Sequence, residues 1–180
     1  MTNTVETEKL LYAWTVKEAR QAGNQRALKQ LAKVQQTPWP RGKDCIEVCR
    51  WLYRFRPPEP PSSSRTLELA FSSPYYSLAD LYRMGRGMWF SFDQLWGEIT
   101  TVDLFTQVPR LDVPVYFLQS RDDYVVTAEM PERYFQALIA PRGKQMIWFE
   151  NSGHMLHLGE PEKYRDVLVN KVLKETRSNP

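Results

Sequence analysis

Apolar residues follow two regimes along this chain. Up to about Arg110 they recur at helical spacing, and from Leu111 onward they gather into short unbroken runs. Glu6 to Ala22 carries Leu10, Leu11, Trp14 and Ala19 on one face, which predicts a helix ended by Gly23-Asn24. Asn24 can cap a second helix running to about Val34, with Ala27, Leu28 and Leu31 inward, before Pro38 and Pro40 stop it. Lys43 to Phe55 predicts a third, burying Cys45, Val48, Cys49 and Leu52. Ser77 reads as the N-cap of a helix from Leu78 that Gly85 and Gly87 break. Ser91-Phe92-Asp93-Gln94 has capping-box form and starts another, carrying Leu95 and Trp96. No strand is expected before Leu111.

The last third changes period. Val113 to Leu118 is apolar on both faces, as a parallel strand covered by helices would be. Met130 to Leu138 predicts a helix, Gln145 to Phe149 a second strand, and Glu160 to Lys174 a final helix with Pro161 in its first turn. Two parallel strands joined by a helical crossover make a βαβ unit. The expectation is an α/β chain: a mostly helical region over 1–110, followed by a short parallel βαβα unit over 111–180.

Composition adds exclusions. The chain has 180 residues and a net charge of +3 with both signs interspersed, too little to argue for a nucleic-acid partner. Mean hydropathy is −0.52 and no apolar run approaches the roughly 20 residues that span a bilayer, so no membrane span is expected. The N-terminus lacks the basic and apolar blocks of a signal peptide, and a cytoplasmic location is the default expectation. Cys45 and Cys49 share a helix face at a spacing unlike C-x-x-C and read as two small buried side chains. The prolines from Pro57 to Pro61, followed by Ser62 to Ser64, read as a stiff exposed loop. His154 and His157 lack a third ligand in any zinc pattern, so neither metal nor cofactor is expected.

The chemistry sits where the two strands end. Arg121-Asp122-Asp123-Tyr124 follows the first and Asn151-Ser152-Gly153-His154 the second, and adjacent parallel strands present such loops side by side. A carboxylate there can accept a hydrogen bond from imidazole Nδ1–H, leaving Nε2 as a general base. Asp122 and Asp123 are both open as the acid. At this point the chain resembles the α/β-hydrolases of the proline-iminopeptidase-like and epoxide-hydrolase-like branch. The resemblance rests on VPVYFLQSRDDYVVT, the turn from Ala140 to Lys144, WFENSGHMLHLGEPEKY, and the aromatic helical run from Glu6 to Pro40. It implies a partial hydrolase fold, with 1–110 as the lid and 111–180 as the end of the core. It also implies that Asp123 is the acid, His154 the histidine of an S-G-H loop, and Glu160 a structural carboxylate capping the last helix.

The same resemblance calls for a serine in a G-x-S-x-G elbow, and no serine of this chain has that context. Ser77 and Ser91 read as helix caps and Ser152 belongs to the histidine loop. The expectation is therefore a truncated hydrolase, inactive alone on ester, amide or epoxide substrates. The alternative is a non-catalytic binding or interaction protein. Trp14, Trp89, Phe90 and Trp96 are candidate lining for a small apolar ligand or substrate, although core packing also accounts for such aromatics. An apolar strand at 113–118 with an unpaired edge predicts self-association, most simply as a homodimer.

Overall fold

The computed structural model describes residues 2–34, 37–55 and 68–178. The proline-rich run at 57–64 lies outside the described residues. The described part is mostly helical and carries a small two-stranded parallel sheet.

Helix α1 (Thr4–Gln21) starts on Asn3, whose side chain accepts from the backbone N–H of Glu6 at 2.9 Å. Its buried face is unusually polar, with Thr4, Thr7, Glu8 and Thr15 inward. Each threonine hydroxyl finds a backbone acceptor: Thr7 donates to Asn3 O, Thr15 to Leu11 O and Thr4 to Ile99 O, all at 2.7 Å. Burial then costs little, because the donors are satisfied. Gly23 adopts φ of +61°, the left-handed turn that ends the helix, and Asn24 caps α2 (Gln25–Leu31) by accepting from Ala27 N at 3.0 Å. Helix α3 (Gly42–Phe55) packs on α1 and buries Cys45, Val48, Trp51 and Leu52.

Trp39, in the link between α2 and α3, joins these helices to the next one. Its ring is 1 % exposed and its Nε1–H donates to Val34 O at 3.0 Å. Its backbone N–H donates to Glu8 Oε2 at 2.8 Å, and its carbonyl accepts from Trp96 Nε1 at 2.7 Å. Trp96 belongs to α4 (Leu78–Ile99), a single helix of 22 residues. The sequence predicted a break at Gly85 and Gly87 and a fresh start at Ser91. The helix runs through both glycines, each open to space, at a cost of roughly 1 kcal/mol apiece. The capping box falls at Ser77 and Asp80 instead. Where α4 crosses α3, a Cβ on Gly42 would stand 2.5 Å from the Phe92 ring, so glycine sets the approach of the two helices.

A one-turn helix α5 (Leu104–Gln107) leads to β1 (Val115–Ser120), helix α6 (Glu129–Ala137) and β2 (Lys144–Phe149). The strands pair in parallel from Val115 opposite Lys144 to Ser120 opposite Phe149. β1 starts two residues later than the apolar run suggested, since Pro114 has no N–H for the ladder and Val113 is exposed. Lys144 Nζ donates to Leu138 O at 2.7 Å, closing the crossover helix onto the second strand. Beyond a short turn α7 (Leu156–Gly159), helical structure runs from Pro161 to Ser178 with a wider π segment at Val167–Val172.

Candidate functional site

The parallel register brings Ser120 beside Phe149, so the two following loops leave the sheet at one level. Asp123 and His154 meet there, with His154 Nδ1 3.0 Å from Asp123 Oδ2. The other carboxylate oxygen, Oδ1, accepts from the backbone N–H groups of Val125 and Val126, both at 2.9 Å. Asp123 is therefore held by three donors while buried at 7 % exposure. Of the two neighbouring aspartates, Asp123 is the one that faces the imidazole. Asp122 is half-buried and accepts from the Tyr124 hydroxyl at 3.3 Å.

His154 itself is exposed. The hydrogen bond that its Nδ1–H donates to Asp123 raises its pKa above the ordinary 6.5, and partial burial works against that rise. With Nδ1 engaged by the carboxylate, Nε2 is the nitrogen available for proton transfer.

Three residues that carry no catalytic signature hold the two loops in place. Ser120 Oγ donates to the carbonyl of Ser152 and accepts from Asp122 N at 3.1 Å, tying the acid loop to the histidine loop. Ser152 Oγ donates to Glu160 Oε2 at 2.8 Å, and the same oxygen accepts from Asn151 N at 3.0 Å. Glu160 was expected to cap the last helix. It makes no side-chain cap and instead clamps the histidine loop. Gly159 lets this happen, because a Cβ there would stand 2.6 Å from Ser152 Oγ and 3.0 Å from Ser152 Cα. The sequence could have flagged Ser120 and Ser152 only as small residues beside strand ends.

The four candidate aromatics separate. Trp14 packs against Tyr124 with ring centroids 5.3 Å apart and the ring planes tilted by 36°, so α1 reaches the residue next to Asp123. Leu10, Trp14, Arg121, Asp123, Thr127 and Glu129 line a cavity of about 230 Å³ beside the pair. That is smaller than the about 300–1,000 Å³ of sites enclosing drug-sized ligands. Trp96 is 3 % exposed and fully committed to Trp39, a core role rather than a lining one. Trp89 and Phe90 project outward from α4 at 51 % and 68 % exposure. Neither lines this cavity. Among the described residues, no three His, Cys, Asp or Glu side chains converge to hold a metal ion. Nor is any described helix long and apolar enough to cross a membrane.

Comparison with known proteins corrects the family resemblance read from the sequence. No family model matches the chain. It is similar to a probable aminopeptidase, YbaC of Bacillus subtilis (strain 168), at 31 % identity over 124 residues. That match covers 69 % of this chain but 38 % of the relative, so the chain spans well under half the length of the protein it matches. Membership of the proline-iminopeptidase-like and epoxide-hydrolase-like branch is not upheld. Two strands in a mostly helical chain do not define that fold. The loop motifs that suggested it need only adjacent parallel strands. At the level the comparison reaches, the likeness is hydrolase-like.

Proposed function

We propose that Asp123 and His154 form the acid–base pair of a hydrolytic site for peptide substrates, with His154 Nε2 as general base. The observation that carries this reading is the 3.0 Å approach of His154 Nδ1 to a buried carboxylate whose other oxygen is fixed by two backbone donors. Such an arrangement fixes the imidazole tautomer and stabilises the imidazolium that forms when Nε2 takes a proton. The aminopeptidase name belongs to the relative, and it supports an amide bond next to a free amino terminus as the bond to test. The nucleophile is neither Ser120 nor Ser152, the serines nearest the pair, because they spend their hydroxyls on Ser152 O and Glu160. It is supplied to Nε2 from elsewhere, and residues 1–180 alone do not turn over. The test is release of nitroaniline from aminoacyl nitroanilides by the purified chain, beside His154→Gln. No turnover by either agrees with the reading. Turnover that the wild-type chain shows and His154→Gln loses would overturn the claim that the nucleophile is missing.

A second reading, a non-catalytic and self-associating protein, is favoured by one separate observation. β1 pairs with β2 on one edge only, and among the described residues its other edge meets no strand. Val113 beside it, and Tyr82, Met88 and Phe90 on α4, are exposed apolar groups. An open strand edge of this kind favours pairing with a second copy through 113–118. Sedimentation of the chain at micromolar concentration discriminates: a monomer at all concentrations removes this reading.

A further inference from the structure

Glu8 is a carboxylate with no partner for its charge. It lies on the buried face of α1 at 2 % exposure. Oε2 accepts from the Trp39 backbone N–H at 2.8 Å, while Oε1 is buried with no hydrogen-bond partner. Among the described residues no cation pairs with it. Lys9, its neighbour in sequence, is engaged by Glu6 at 2.7 Å, and Arg41, two residues beyond Trp39, by Asp44 at 3.3 Å. The other ionisable groups around it are Cys45 on α3, within electrostatic reach, and Tyr12 one turn further along α1. The Tyr12 hydroxyl donates to Leu31 O at 3.2 Å. The Cys45 thiol is pushed up, first by its hydrogen bond with Cys49 and then by burial, so it stays neutral and supplies no counter-charge.

We propose that Glu8 is a proton-operated latch on α1. Protonated, it lets the helix seat on the link between α2 and α3; ionised, it releases α1, and with it Leu10 and Trp14, from the cavity beside Asp123 and His154. The geometry decides which side moves. The link is the fixed side, because Trp39 is held twice more, through its own Nε1 to Val34 O and through Trp96 Nε1 to its carbonyl. The start of α1 is pinned as well. Thr4 N donates to Val102 O at 3.1 Å, its hydroxyl donates to Ile99 O, and Thr2 O accepts from Leu104 N at 2.7 Å. Beyond Glu8 the ties loosen: Thr15 bonds within α1 itself, to Leu11 O, and the Tyr12 bond to Leu31 O is long for a hydroxyl. A charge at Glu8 therefore reaches water most easily by moving that stretch, which carries the cavity-lining Leu10 and Trp14.

Burial raises the Glu8 pKa above its ordinary 4.5, and the bond from Trp39 N–H works against that rise. Below 4.5 the carboxyl is neutral in the closed and the open chain alike, so closure is at full strength. As pH climbs from there to the higher closed value, the open form ionises first and gains population, about tenfold for each unit between the two values. Above the closed value the gain is complete and constant. The direction matters for the acid–base pair, on whose reading this inference rests. His154 also has a raised pKa, and it serves as a base only once its proton has gone. The same rise in pH thus frees Nε2 and loosens the α1 wall of the cavity, whereas mild acid occupies the base and seats the helix.

The experiment is amide hydrogen exchange of the full chain from mild acid to mild alkali, without substrate, in wild type and Glu8→Gln. Glutamine keeps an acceptor for Trp39 N–H and cannot ionise. Comparing the two chains at each pH removes the intrinsic pH dependence of exchange. For α1 amides beyond Glu8, protection in Glu8→Gln relative to wild type should rise at least about tenfold from acid to alkali, while α6 amides show no such change. Carbon-13 titration of the wild-type carboxyl needs no variant: Glu8 should ionise above 4.5. A Glu8 that titrates at or below 4.5 overturns the proposal, as does a protection ratio that stays level with pH or shifts equally in α1 and α6. Should Glu8→Gln not fold, wild type alone decides, since its α1 protection must fall relative to α6 as pH rises. None of these readouts involves turnover, so failure here is distinct from failure of the acid–base reading in the nitroanilide assay.

Discussion

Replacing Gly159 with alanine adds one methyl group at the tightest point beneath the histidine loop. Its Cβ would lie 2.6 Å from Ser152 Oγ, 2.8 Å from Ser152 Cβ and 3.0 Å from Ser152 Cα. The hydroxyl could rotate away, but doing so surrenders its 2.8 Å bond to Glu160. No rotamer relieves the clash with the Ser152 backbone, because that residue is 1 % exposed and its carbonyl is held by Ser120. Overpacking of this kind costs about 1–3 kcal/mol, and loss of the Glu160 bond adds about 1 kcal/mol. The sum is roughly 2–4 kcal/mol. At about 2–4 °C per kcal/mol for a chain of this size, the melting temperature should fall by roughly 4–16 °C. Urea unfolding followed by far-ultraviolet circular dichroism measures the first figure and a thermal scan the second. The partner experiment is Gly159→Ala with Ser152→Gly. Removing the serine side chain eliminates two of the three short approaches, so the double variant should be more stable than additivity predicts by about 1 kcal/mol or more. A Gly159→Ala chain within about 0.5 kcal/mol of wild type would refute the argument, since the loop would then not be wedged against Gly159.

Other consequences are open to direct measurement. His154 has a raised pKa, so the stability it gains from Asp123 is fully present below 6.5 and lost as pH rises through the higher folded value. The stability gap between wild type and His154→Gln should accordingly be widest in mild acid and shrink toward alkaline pH, as denaturant midpoints across that range would record. Asp123→Ala strips the acceptor from Val125 N and Val126 N, and a loss of about 1–3 kcal/mol per orphaned donor is expected if they stay dry. Equilibrium urea unfolding reports it, and an effect no larger than about 0.5 kcal/mol would mean that water replaces the carboxylate. Trp96→Phe should destabilise the chain by about 1 kcal/mol or more through the lost bond to Trp39 O, while Trp89→Ser should change stability by less than about 0.5 kcal/mol. Parallel thermal scans of the two variants separate a packed indole from an exposed one.

How much of this was legible beforehand depended on whether the signal was periodic. The strands were visible because unbroken apolar runs flanked by polar residues have few other uses, and both were located to within two residues. Asp123 and His154 could be paired across 31 positions because each follows a strand and the strands are neighbours. Helix α4 was misread. Gly85 and Gly87 look like breakers in one dimension, but open space around them and a strong cap at Ser77 let the helix continue. Helical spacing also cannot say which side of α4 meets a neighbour, so Trp96 in the core and Trp89 outside it carry the same local pattern. Of the Ser120–Ser152–Glu160 network only Glu160 stood out, as a structural carboxylate with a different expected partner, and the two serines gave no signal. A serine that ties two loops together has the composition of any loop serine.

The tilted contact of Trp14 with Tyr124 makes α1 an optical gauge of the loop that holds Asp123. Indole emission depends on its immediate neighbours, and at 5.3 Å the tyrosine ring is one of them. The difference spectrum between the wild-type chain and Trp14→Phe isolates that one chromophore from the other tryptophans. Any event that lifts the helical layer from the acid loop, such as a peptide entering the small cavity, would then be visible as a change in colour without a label.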